Sequence, residues 1–238
     1  MAQGIAWLAA RPLEWLLTKP CPLCRQPLPP ADLRSHLCAS CTSALMLPRQ
    51  GLSGTAPLPW WAAGLYSGEY RRVLLDLRHR PRQDTVDALF RAVTLPVFPQ
   101  GVSPLMVPVP SWKKRANPLP GLICRMACRQ WRWTDADLLR RSRPVLGQHH
   151  LNRAMRIDNQ KGAFTCLRRP RSKEARQHPV FLVDDILTSG ATALSAAETL
   201  RQAGWRVHGL ICLARTPARR HPTNGDLRST RREGDRPG

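Results

Sequence analysis

Residues 180–192 read Val-Phe-Leu-Val-Asp-Asp-Ile-Leu-Thr-Ser-Gly-Ala-Thr, and few folds accommodate that order. Four consecutive apolar residues suit a strand buried on both faces. Two acids end it, Thr188-Ser189-Gly190 turns the chain, and the composition from Ala191 to Ala203 is helical. Gly204 stands where a helix takes its C′ glycine. Val207 to Leu213 is the next apolar run. Strand, turn, helix and strand make a βαβ unit, which predicts an α/β fold built on a parallel sheet flanked by helices.

The same segment carries chemistry. In open α/β sheets ligands bind at the carboxyl ends of strands. A loop that opens a helix offers free N–H groups and the positive end of the helix dipole, which together hold a phosphate. Thr188, Ser189 and Thr192 add hydroxyls, and Gly190 permits close backbone approach. Asp184 and Asp185 repel phosphate, but they accept from sugar hydroxyls or reach a magnesium-bound sugar. Phosphate donors beside diol acceptors describe a ribose-5-phosphate site. Strands ending in Asp-Asp also occur in receiver and haloacid-type folds, which lack the hydroxyl–glycine loop.

Residues 180–192 resemble the phosphoribosyl-pyrophosphate (PRPP) motif of type I phosphoribosyltransferases, at the apolar run, both acids and the Thr-x-Gly-x-Thr loop. The resemblance implies that Asp184 and Asp185 contact the ribose hydroxyls. It implies that Thr188, Ser189, Gly190, Ala191 and Thr192 hold the 5′-phosphate, with Mg²⁺ accompanying PRPP.

The first sixty residues read differently. Eight prolines between Pro20 and Pro59 leave no room for a long helix. Cys21-Pro-Leu-Cys24 and Cys38-Ala-Ser-Cys41 are two Cys-x-x-Cys knuckles. Each can present two thiolates to one face of a tetrahedral Zn²⁺, and four sulfurs close the shell, as in a structural site. A proline-rich stretch with little core would draw its folding free energy from the metal. Two redox pairs, or unbound thiols, are the alternatives. His36 lies close by, but the four cysteines complete a site without it. Cys124 and Cys128 fall at i, i+4 of an expected helix and read as buried small residues, as do Cys166 and Cys212.

Between these motifs, Trp61–Tyr66 suits a short strand and Gly68–Leu77 a helix. Asp84 is suited to cap a further helix reaching Thr94. Leu105–Pro110 is a strand end broken by proline, and Leu122–Trp131 is helical.

A four-cysteine module ahead of a PRPP motif resembles the ComF family, which includes GntX-like proteins, over nearly the whole chain. Leu65 to Tyr70 and Leu74 to Arg78 are similar to one family segment. Pro108-Val109-Pro110 and the stretch from Gln148 to Phe164 are similar to others, and Ala214-Arg215-Thr216 matches the usual end. The resemblance implies a four-cysteine, zinc-ribbon-like module at 1–50, a phosphoribosyltransferase-like domain at 60–216 and an extra basic tail at 217–238, expected to be disordered. It also implies a link to competence and DNA uptake. Where the family carries Arg-Gly-Phe-Asn-Gln after the Pro-Val-Pro strand, this chain has Lys113-Lys114-Arg115-Ala116-Asn117. Lys113, Lys114 and Arg115 remain able to neutralise a pyrophosphate leaving group, or form a solvated basic loop.

Three function classes follow. One is a phosphoribosyltransferase acting on PRPP and a nitrogenous acceptor. Another is a PRPP sensor without turnover. The third is a DNA-binding accessory protein, because the net charge is +21 and residues 111–176 hold 17 basic against 4 acidic residues. Trp112, Trp131 and Trp133 lie in that stretch and could stack on bases. No apolar run is long enough to span a membrane, and the start of the chain lacks the features of a signal peptide, so a cytoplasmic location is expected.

Overall fold

The computed structural model describes residues 19–29, 32, 36–99, 102–111, 117–142 and 162–217. Lys113, Lys114, Arg115, Trp112 and the tail beyond Pro217 lie outside the described residues.

A mostly parallel sheet forms the centre. Helix α1 (Ala39–Ala44) precedes β1 (Leu52–Gly54) and β2 (Trp60–Leu65); α2 (Gly68–His79) and α3 (Gln83–Phe90) lead to β3 (Leu105–Pro108). Helix α4 (Leu119–Trp131) is followed by β4 (Thr134–Asp135), β5 (Leu139–Arg141) and β6 (Phe164–Cys166). Then come α5 (Lys173–Gln177), β7 (Pro179–Val183), β8 (Ile186–Leu187), α6 (Ala191–Gln202) and β9 (Arg206–Arg215). The strand order is β1-β2-β9-β7-β3-β4, with β8 also on β9, and β5–β6 forms a separate antiparallel pair. Within the large sheet only β1–β2 is antiparallel. The expected βαβ unit is β7–α6–β9, both strands central, which explains why every residue of β7 is buried.

The two faces of the sheet are packed by different elements. Phe181, Val183, Ile211 and Leu213 face α2, α3 and α4, together with Leu28, Leu37, Leu45 and Leu47 of the cysteine region. Val180, Leu182, Leu210 and Cys212 face α6 and the β5–β6 pair. Alternation along β7 sends neighbours to opposite cores. A fully buried side chain such as Phe181 contributes about 1.5–3 kcal/mol.

Two local expectations change, and one further helix joins them. Helix α3 begins at Gln83 with Arg82 as its cap and ends at Phe90, short of Thr94; Asp84 sits inside the first turn, where Oδ1 accepts from the Thr85 N–H at 2.7 Å. Strand β9 is longer than the apolar run, reaching Arg215 because β2 and β8 extend its ladder. Helix α5 has too few apolar residues to signal itself, yet Ser172 caps it by accepting from the Ala175 N–H. The prolines near β3 are tolerated because β4 pairs only with Leu105 and Met106, so Pro108 has a neighbour on one side alone. Among the described residues no helix is long and apolar enough to cross a membrane.

Candidate functional site

Strand β7 delivers Asp184 to the carboxyl end of the sheet, between the ends of β3 and β9. The Val109 N–H donates to the Val183 carbonyl at 2.9 Å, and the Asp184 N–H donates to the Ile211 carbonyl at 3.1 Å. The two acids then diverge. Asp185 is buried and takes a two-pronged ion pair from Arg78, Nε to Oδ2 at 2.5 Å and Nη2 to Oδ1 at 3.0 Å. Asp184 is half-buried, and its Oδ1 accepts from the Asp185 N–H at 2.8 Å. Burial, and then the neighbouring charge of Asp185, holds the Asp184 carboxyl well above the usual carboxylate range.

Sequence reasoning reaches Arg78 only as a family position. Tyr70, Leu74 and Leu77 form the buried stripe of α2, and Arg78 lies at i+8 from Tyr70 on that stripe. A cation on an apolar stripe is the signal that a buried anion faces it. Tyr70 supports the same strand end, donating its hydroxyl to the Leu213 carbonyl at 2.7 Å.

The hydroxyl–glycine loop follows β8. Thr188 is exposed, Ser189 and Thr192 are partly exposed, and Gly190 and Ala191 are buried. Gly190 is the N-cap of α6 with φ +79°, a conformation that favours glycine. The first turn of α6 carries no acid, so its positive end is not neutralised locally. A Cβ at Gly190 would stand 2.1 Å from Cγ of Pro57. The close approach that glycine permits here is therefore made by the β1–β2 connection. That connection is itself fastened: Trp60 Nε1 donates to the Ala56 carbonyl at 3.1 Å, and the Arg215 guanidinium lies 5.7 Å from the Trp60 ring centroid. Arg215 also donates to the carbonyls of Leu187, at 3.0 Å, and of Thr188. Pro57, Trp60 and Arg215 thus shape the loop, and no local motif announces the first two.

A cleft of about 560 Å³ adjoins this end, lined by Pro110, Ser111, Asp137, Leu139, Arg140 and Leu167. Pro110 follows Val109, the residue tied to the end of β7. Arg141 closes one wall, donating to the Pro110 carbonyl at 3.1 Å and covering the Phe164 ring at 4.5 Å.

The four knuckle cysteines come together as their spacing implies. One sulfur from each of Cys21, Cys24, Cys38 and Cys41 lies within 4.8 Å of the others, a set that fits one structural zinc ion. Tight turns make this possible: the Arg25 N–H returns to the Cys21 carbonyl at 2.8 Å, and Cys38 caps α1. Burial opposes ionisation of Cys38, but hydrogen bonds from Ser40 and Cys41 outweigh it and bring the thiol down to about 6. Burial and the neighbouring Cys38 push Cys41 up. His36 points elsewhere, its Nδ1 lying 3.1 Å from Asp87 of α3. Arg25 reaches Asp84 of the same helix at 3.3 Å. Cys124 is buried in α4 and Cys212 in β9, and Cys128 and Cys166 are partly buried.

No family model matches the chain. It is similar to the DNA utilization protein YhgH of Escherichia coli K12, with 28% identity over 84% of this chain and all of that protein. The DNA utilization protein YhgH of Salmonella typhi is 27% identical, over 90% of this chain and 97% of its own length.

Proposed function

We propose that the carboxyl end of β7 binds the ribose-5-phosphate group of PRPP with Mg²⁺, and that the protein is a ComF-like phosphoribosyltransferase serving DNA uptake or utilisation. The observation that carries this reading is Asp184, half-buried and beside a hydroxyl-bearing loop that opens α6 through a positive-φ glycine. In this reading Thr188, Ser189 and Thr192 donate to the 5′-phosphate with the first N–H groups of the helix. Asp184 accepts from the ribose hydroxyls, and Asp185 positions it from behind through its own N–H. Mg²⁺ bound with the substrate would neutralise charge on the leaving group, and Asp184 is the carboxylate that would approach it.

Transfer breaks the bond between ribose C1 and pyrophosphate oxygen, and pyrophosphate leaves with the electron pair. A nitrogen lone pair of the acceptor forms the new C1–N bond, and the displaced N–H proton passes to pyrophosphate or solvent. Charge develops on the ribose ring and the leaving group, so orientation and electrostatics carry the rate. The cleft between Pro110 and Arg140 is where the acceptor sits, with Lys113, Lys114 and Arg115 assigned to the leaving group. The zinc ion braces the cysteine region, in a cytoplasmic setting that keeps thiols reduced.

The Arg78–Asp185 pair favours a second reading. It withdraws one of the two acids from the ligand, which suits a PRPP sensor that binds without turnover. Incubation with PRPP, Mg²⁺ and a panel of nitrogenous bases separates the two. Pyrophosphate release with any acceptor supports transfer. Saturable PRPP binding with no release from any base supports the sensor.

A further inference from the structure

The hydroxyl–glycine loop is tied to the end of β9 through its carbonyl oxygens. We propose that Arg215 is the positioning residue for the 5′-phosphate, turning the loop's peptide groups so that their N–H groups face the ligand. The inference rests on the ribose-5-phosphate reading above.

Two successive carbonyls of the loop converge on one nitrogen. Arg215 Nη1 donates to the Leu187 carbonyl at 3.0 Å and also to the Thr188 carbonyl. Thr216 brings two further donors to Leu187, its N–H at 3.0 Å and its hydroxyl at 3.2 Å. Strand β8 sets this register, pairing Ile186 with Ala214 and Leu187 with Arg215.

Peptide planarity turns those bonds into a statement about donors. Both peptides are trans, and a trans peptide points its C=O and N–H in opposite directions. The Leu187 carbonyl therefore aims the Thr188 N–H away from Arg215, and the Thr188 carbonyl aims the Ser189 N–H the same way. Along an extended strand successive N–H groups alternate in direction. Two that share a side form a concave donor pair of the kind that holds anions. Helix α6 continues the series. Its first hydrogen bond runs from the Leu194 N–H to the Gly190 carbonyl at 2.8 Å, so the N–H groups ahead of Leu194 precede the ladder.

The position calls for arginine. One nitrogen serves two carbonyls while the guanidinium lies 5.7 Å from the Trp60 ring centroid. The Trp60 indole is itself held by the Ala56 carbonyl, and Pro57 beside it presses on Gly190. Lysine offers a charge but neither a planar group to stack nor a fixed fork. The permanent charge of Arg215 also stands behind the loop, where it favours an anion on the other side without touching it.

The test uses the full chain, with ribose-5-phosphate as the probe, calorimetry for affinity and nuclear magnetic resonance for the amides. In wild type the Thr188 and Ser189 amide resonances should shift along the same saturation curve that calorimetry gives. Arg215→Met should weaken ribose-5-phosphate by about tenfold, and at saturating ligand those two amides should no longer shift. A merely structural loss would lower the melting temperature and leave the two shifts intact. Arg215→Lys, which keeps the charge without the fork, should recover only part of the affinity. Melting temperature establishes that both variants fold, and the wild-type amide shifts decide the matter if they do not. Equal affinity in folded Arg215→Met, full recovery in Arg215→Lys, or wild-type Thr188 and Ser189 amides unmoved on binding would each overturn this role and leave the site reading in place. No binding by wild type would overturn the site reading, and this role with it.

Discussion

Arg78 on α2 and Asp185 at the end of β7 are 107 residues apart in sequence and joined by two hydrogen bonds between their charged groups. The Asp185 side chain is 3% exposed and that of Arg78 is 35% exposed, so solvent screens only one side of the pair. The pair sets the two acids apart: among the described residues it leaves Asp184 as the one of the two without an ion pair.

Removing either partner should destabilise the fold. Arg78→Met or Asp185→Asn should each lower unfolding free energy by about 1.5–3 kcal/mol, the cost of a charge-assisted hydrogen bond with one screened partner. The double change should cost less than the sum of the two, since the second removes a charge already left unpaired. Urea unfolding of all four proteins measures this, and strict additivity would refute the coupling.

Asp184→Asn should act in the opposite direction on stability. The folded state holds the Asp184 proton more tightly than the unfolded chain does, so it binds more protons between the two pKa values. Stability therefore falls as pH rises from the ordinary carboxylate pKa through the raised one. Asparagine keeps the carbonyl that accepts from the Asp185 N–H and removes the charge. At neutral pH the variant should melt at a higher temperature than wild type, and the gap should close at low pH. An equal or lower melting point at neutral pH would contradict this.

Gly190→Ala should damage the loop whether or not ligand is present. The φ of +79° is strained for alanine, and the new Cβ would overlap Pro57. Replacing Pro57 with glycine in the same chain should recover the overlap but not the strain, so the double variant should lie between wild type and Gly190→Ala. Thermal melts of the three proteins report it.

One zinc per chain should accompany purification, and Cys38→Ser should lose it. The effect should pass beyond the cysteine region, because Cys21, Cys38, Leu45 and Leu47 pack in one core with Tyr70, Leu74 and Leu77. Elemental analysis gives the metal content. Hydrogen exchange should show α2 losing protection together with residues 36–47, and metal content unchanged by the substitution would exclude these ligands.

The β7–α6–β9 unit and both Cys-x-x-Cys turns are legible in the sequence because each depends on neighbours within a few residues. Val180–Val183 reads as a buried strand, and two short knuckles suffice to face a metal. The rest depends on contacts distant in sequence. Nothing near Pro57 indicates Gly190, and Trp60 meets Arg215 only once β2 and β9 pair. Arg78 is visible as a cation on an apolar stripe, but its partner cannot be read from α2 alone. Trp131 and Trp133, read as able to stack on bases, meet Phe90 edge to face and Phe181 in parallel respectively, contacts between residues far apart in sequence. Helix α5 and β8 are too short to display a period.

Isothermal calorimetry with PRPP and Mg²⁺ tests the ribose-5-phosphate site most directly, with wild type and Asp184→Asn measured side by side. Wild type should bind saturably below millimolar ligand, and the folded variant should bind about one to two decades more weakly. Wild-type affinity should also strengthen as pH rises through the raised Asp184 pKa, since the carboxylate is the accepting form. No heat of binding from wild type at millimolar PRPP with Mg²⁺, or identical affinity in the two proteins, would contradict the assignment of this site.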